Sequence, residues 1–184
     1  MALSKAELLE KLRAAGEQAA TRLRALPLGS FEQGRYESGW NGRQILAHIA
    51  SIEWSYPRLI DIARQASSGG QAQPQPGGRA LSPTGTADQT PAIPTRAATG
   101  GINDYNERQV EKRAQMSVGE LIAEFETNRA TTIAAFEQAH AALFGATIRS
   151  AGGITGPLAD VVNAIAVLHV GGHVNDIAGP PARG

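Results

Sequence analysis

The sequence predicts an all-α protein, a four-helix bundle with a long crossover between its second and third helices. Three observations predict it. Apolar residues recur at helical spacing in four stretches, and no run alternates with the period of a strand. Residues 67–102 hold five of the ten prolines and seven of the 21 glycines, with almost no hydrophobic periodicity. A histidine in the second helix and a histidine pair in the fourth share a level only if that stretch crosses the length of the bundle.

The first helix runs from about Ser4 to Leu26. Ser4 and Glu7 form a capping box, Leu3 and Leu8 a hydrophobic staple, and Pro27 and Gly29 stop the helix. Asn41 with Gln44 caps the second helix, and Trp40 with Ile45 repeats the staple. Ile45, His48, Ile49, Ile52, Tyr56 and Leu59 share one face, Pro57 predicts a kink near Ser55, and the helix ends near Ala66. A structureless run as long as 67–102 is unusual inside a compact domain, so it is a disordered segment, a long crossover or a lid.

The third helix opens around Asn103–Asn106, weakens near Gln115, and restarts at a capping box of Ser117 and Glu120 with Met116 and Leu121 as staple. Gly145 to Thr155 reads as a loop. The fourth helix starts at Pro157, a favoured first-turn residue, carries the apolar set Leu158, Val161, Val162, Ile165 and Leu168, and ends at Gly179-Pro180-Pro181.

His169 and His173 stand four residues apart near the end of that helix, so both imidazoles project from one face and can close on one metal ion. In an up-down-up-down bundle, helices 2 and 4 are parallel, and His48 lies roughly 10 Å below the level of the pair. If 67–102 crosses the bundle, helix 4 runs antiparallel to helix 2, and His48 and the pair both lie about 10 Å from the same end. The crossover and the shared site thus explain each other. His140 falls at the opposite end and reads as a polar-face histidine. Val170 stands where the glutamate of an HExxH protease would be, which disfavours that mechanism.

Other candidates surround the triad. Asp176 follows His173 by three residues and is placed to orient an imidazole or to bind the ion weakly. Arg43, Asn106, Arg108 and Arg113 fall at the same end and are candidates for holding an anionic substrate or supporting the site. Glu53, five residues after His48, is off the ligand face, and Trp40 and Trp54 read as core or staple residues. Gly171 and Gly172 each cost about 1 kcal/mol against alanine inside a helix. Either close helix packing or room for a ligand accounts for them.

Composition narrows the chemistry. A formal net charge of zero and the absence of a basic run point away from nucleic acid and from an anionic membrane surface. The chain has no cysteine, so it carries no disulfide, no thiolate ligand and no thiol nucleophile of its own. No signal-peptide core and no stretch of spanning length is found, and a cytoplasmic protein is expected. The 184 residues are expected to form one domain with 67–102 as its crossover loop.

Several pieces together resemble the DinB/YfiT-like superfamily of metal-binding helical bundles. They are Trp40 followed by Ile45–Ala50 around His48, Asp104-Tyr105-Asn106, Ser117–Leu121, and His169 with His173, Asp176 and Ile177. The resemblance implies a divalent ion, zinc or nickel, held by His48, His169 and His173. It also implies the crossover topology and a homodimer. The superfamily includes mycothiol-dependent maleylpyruvate isomerases, bacillithiol and mycothiol S-transferases, and ClbS-like protective proteins. The Pro/Gly-rich insert departs from the compact members, and the separate C-terminal domain of the isomerases is not expected here.

Three neutral imidazoles leave coordination positions open on a Zn²⁺-like ion, the pattern of a catalytic site. The expected function is a divalent-metal-dependent S-transferase or isomerase that uses a low-molecular-weight thiol on a small electrophile. Activation of water for hydrolysis is a second use of the same ion. The alternatives are a non-catalytic protein that binds metal or sequesters a small molecule, and a metal-free bundle.

Overall fold

The computed structural model describes residues 2–34, 39–68 and 101–179. Most of the 67–102 stretch lies outside the described residues, and its expected role as a lid lies there with it. The helices are α1 (Lys5–Arg24), α2 (Gly42–Glu53), α3 (Arg58–Ser68), α4 (Gly101–Lys112), α5 (Val118–Gln138), α6 (Leu158–Val162) and α7 (His169–Ala178). A π-helical segment, Asn163–Leu168, joins α6 to α7. Short 3₁₀ turns lie at Leu28–Phe31 and Ala141–Gly145.

The three capping boxes form as the sequence predicts, at Ser4, Asn41 and Ser117. Each cap side chain accepts from the third residue of its helix, and that residue's side chain accepts from the cap backbone in return. Pro57 does more than kink the second helix. It has no N–H, and residues 54–57 form a turn stitched by Tyr56 N–H to Glu53 O and Arg58 N–H to Ser55 O, so the predicted helix divides into α2 and α3. The loop expected at 145–155 holds a small antiparallel hairpin, β1 (Thr147–Arg149) with β2 (Thr155–Pro157). Pro157 therefore ends β2 and caps α6 instead of opening it.

Helix directions follow from the bonds between helices. At the start of α2, Arg43 donates to the carbonyls of Ala114 and Met116, just before α5. At its end, Glu53 pairs with Arg129 and accepts at its carbonyl from Thr132, well along α5. Helices α2 and α5 are therefore parallel, the arrangement that a crossover between them produces. Tyr56 donates to Ile165 O while His48 sits beside His169 and His173, so the last helix is antiparallel to α2. Helix α1 runs with the last helix, from Leu3 at Asp160 to Arg22 at Asn175. The fold is all-α with the predicted topology.

Two apolar clusters fill the bundle. One gathers Leu8, Leu12, Leu59, Phe136, Phe144, Leu158 and Val162 around the hairpin end. The other gathers Leu23, Phe31, Ile45, Ile49, Leu121, Phe125, Val170 and Ile177 around the histidine end. Arg129 lies where they meet. It donates to Leu12 O at 3.0 Å and Ala166 O at 2.6 Å, forks onto both oxygens of Glu53 at 2.8 and 2.6 Å, and its guanidinium lies 5.3 Å from the Phe125 ring centre. Glu53 is fully buried and Arg129 is 4% exposed. A Cβ on Gly16 would lie 3.0 Å from Arg129 Cγ, so the glycine lets the arginine pass close to α1.

Two sequence expectations about apolar residues fail. Trp54 is a surface residue, 37% exposed, with the Arg58 guanidinium 4.0 Å from its ring centre. Leu168 is 64% exposed, because the π segment turns it out of the stripe to which regular periodicity assigns it.

A candidate metal centre

The cap at Asn41 sets where α2 begins, and His48 follows on its buried face. His169 opens α7 and His173 lies one turn later. The three rings converge: ring centres are 5.8 Å apart for His48 and His169, 5.2 Å for His48 and His173, and 4.4 Å for His169 and His173. One nitrogen from each lies within 4.8 Å of the others, close enough for a single ion. His48 and His173 are buried, whereas His169 is exposed and forms the open side.

The donors suit a divalent cation. Burial holds the His48 imidazole down at about 3, and the nearby His173 and His169 add to the effect. Burial likewise lowers His169 to about 4, helped by His173 and opposed by Asp176. His173 is lowered by burial against the hydrogen bond and charge of Asp176. All three are neutral near pH 7, the form that ligates metal without first losing a proton. Nδ1 of His48 is buried without a hydrogen-bond partner, an unmet acceptor that an ion would satisfy. Asp176 Oδ2 lies 3.2 Å from His173 Nδ1, the carboxylate–imidazole contact that fixes a metal-binding histidine.

Depressed histidines make the metal-free fold acid-sensitive. Between pH 6.5 and the folded values, the unfolded chain binds more protons, so stability is full above 6.5 and falls as pH drops to about 4 for His169 and on to about 3 for His48. His48 alone contributes a slope of up to ~1.4 kcal/mol per pH unit in that window. Urea unfolding of metal-free protein is expected to show a steadily falling midpoint from about pH 6.5 to about pH 4.5, and a flat one above.

Around the triad, the half-buried Trp40 packs its ring 5.3 Å from His48, so the staple residue is also a wall of the site. A Cβ on Gly171 or Gly172 would meet nothing within 4 Å. Close packing within the described residues therefore does not explain these glycines, and the described residues leave the helix surface at both positions uncovered.

The outer candidates divide. Arg43 is engaged with the carbonyls of Ala114 and Met116. Arg113 is engaged with Glu124, at 2.5 Å, and with Gln109. Both hold the α4–α5 junction against its neighbours, so a substrate would have to displace existing partners. Arg108 is exposed on α4, and Asn106 keeps a buried Oδ1 without a hydrogen-bond partner. His140 is remote: it caps the 3₁₀ turn at 141–145 by accepting from Ala142 N–H. Sequence reasoning missed Arg129 as a buried hub. The signal was present, because Arg129 falls in step with Phe125, Thr132 and Phe136, which are buried on the same stripe.

No protein-family profile and no curated protein matches the chain. Two solved structures do, the mycothiol-dependent maleylpyruvate isomerase and a histidine-to-alanine mutant of that enzyme. Each superposes with a TM-score of 0.65 at 15% sequence identity, covering 95% and 98% of this chain respectively. The chain spans 61% and 63% of the length of those two proteins. The likeness is one of fold: the chain shares the helical architecture of that isomerase, as the DinB/YfiT-like resemblance implies.

Proposed function

We propose that the protein is a divalent-metal-dependent enzyme that either conjugates a low-molecular-weight thiol to a small electrophile, as an S-transferase does, or uses the thiol to isomerise that electrophile. The observation that carries this reading is the convergence of His48, His169 and His173, with one nitrogen of each within 4.8 Å of the others. They would hold the ion, zinc or nickel, and Asp176 would keep the His173 ring in place. The fold likeness to a mycothiol-dependent isomerase supports the choice of thiol chemistry.

A cation beside sulfur lowers the thiol pKa and keeps it as thiolate at neutral pH. The chain has no cysteine, so the thiol must come from solution. The side chains supply the setting. His48 and Trp40 close the inner wall, His169 faces the opening, and the bare backbone at Gly172 leaves room for the incoming molecule. Addition of the thiolate sulfur to an electrophilic carbon, with a proton taken up elsewhere on the substrate, gives a transferase. Addition followed by bond rotation and loss of the same thiol gives an isomerase.

The test incubates metal-loaded protein with mycothiol or a simpler cysteine-derived thiol and a panel of activated alkenes and epoxides. Metal-dependent consumption of thiol supports transfer, and substrate conversion with the thiol conserved supports isomerisation. Neither, in the presence of bound metal, leaves the sequestering reading. One observation favours that second reading: Asp176 is already engaged with His173, and Arg43 and Arg113 are engaged elsewhere, so no uncommitted acid or base among these stands at the triad.

Gly172→Ala separates the helix from the site. Alanine meets no atom of the described residues there, so the helix is expected to gain about 1 kcal/mol with metal content unchanged. Turnover of bulky electrophiles is expected to fall, measured by urea unfolding beside the thiol assay.

A further inference from the structure

The last helix has a phase error in its sequence that the π segment corrects. Leu158, Val161 and Val162 are buried before the segment, and Val170, Val174 and Ile177 after it. At about 100° per residue, a regular α-helix would set these two groups roughly 130° apart around the axis. One extra residue in a π turn rotates the remainder of the helix by about 100° and brings the groups back onto one face. The same rotation carries His169 and His173 round to one flank of the helix, where they meet His48. It also turns Leu168 outward.

The π ladder is visible in the bond from His169 N–H to Ala164 O, five residues back. Wider turns tilt carbonyls out of the helix, and two of these take donors from elsewhere in the bundle, one from the α2–α3 turn and one from α5. Tyr56 Oη donates to Ile165 O at 3.0 Å, and Arg129 Nη2 donates to Ala166 O at 2.6 Å. Glu53 fixes the Arg129 fork from α2, the helix that also carries His48. The element bearing one histidine is thus tied to the turn that sets the angle of the other two.

We infer that Tyr56 and Arg129 are positioning residues of the metal centre, acting through the π turn and touching neither the ion nor a substrate. The inference rests on the proposed binding of a metal by His48, His169 and His173.

The test uses Tyr56→Phe and Arg129→Lys in the full chain, with Co²⁺ as a spectroscopic probe. Tyr56→Phe keeps the buried ring and removes only the hydroxyl. Both variants are expected to bind Co²⁺ at least tenfold more weakly and to change the ligand-field absorption bands, which loss of global stability alone does not do. In the metal-free variants, amide chemical shifts at residues 163–173 are expected to move while those along α1 stay. Wild-type affinity and spectrum in both variants overturn the inference. A wild type that binds no Co²⁺ removes the metal reading, and the amide shifts then decide separately whether these residues hold the turn.

Discussion

His48→Ala is expected to weaken divalent-metal binding by about 100-fold or more, the loss of roughly 3 kcal/mol that one ligand of a histidine site represents. The loss follows from geometry. His48 is the only one of the three clustered histidines on α2, and without it the remaining pair belongs to a single turn of α7. Isothermal titration with zinc or nickel checks the expectation. His140→Ala is the control with unchanged affinity, because His140 caps a turn at the far end of the bundle. Equal losses in both variants would point to unfolding and not to ligation, and circular dichroism separates the two.

Arg129→Ala is expected to be the most destabilising single change in the described bundle. It strands the fully buried Glu53 carboxylate and leaves Leu12 O and Ala166 O without that donor. Breaking one side of a buried pair costs about 3–5 kcal/mol, which in a domain of this size corresponds to a drop in Tm of roughly 10 °C. Burial pushes the Glu53 carboxyl up, with the Arg129 charge and hydrogen bonds opposing it, so loss of the arginine lets the acid protonate. A Glu53→Leu/Arg129→Met double variant is expected to recover a large part of the loss, since replacing both charges leaves no uncompensated ion. Thermal and urea unfolding of Glu53→Leu, Arg129→Met and the double variant measure the coupling directly.

Much of this was legible in the sequence because the signals were local or redundant. Ser4, Asn41 and Ser117 carry their capping partners three residues on, and each box forms. The spacing of His169 and His173, combined with the level of His48, was enough to choose the topology, because only one bundle order brings them together. The failures share a cause: each depends on a tertiary contact that periodicity cannot weigh. The β1–β2 strands are three residues each, too short for an alternating pattern to register. Leu168 reads as core on a regular helix, and only the phase mismatch with Val170, Val174 and Ile177 hints at the π turn. Glu53 lies on the buried side of α2 and Arg129 on that of α5, so the clue was a pair of opposite charges on two apolar stripes.

The central claim is that His48, His169 and His173 hold one metal ion, and elemental analysis of untagged protein purified without added metal tests it most directly. The account predicts about one divalent ion per chain, as three imidazoles on one ion require. A chain that carries none, and takes up none after reconstitution with zinc, nickel and manganese, would contradict it.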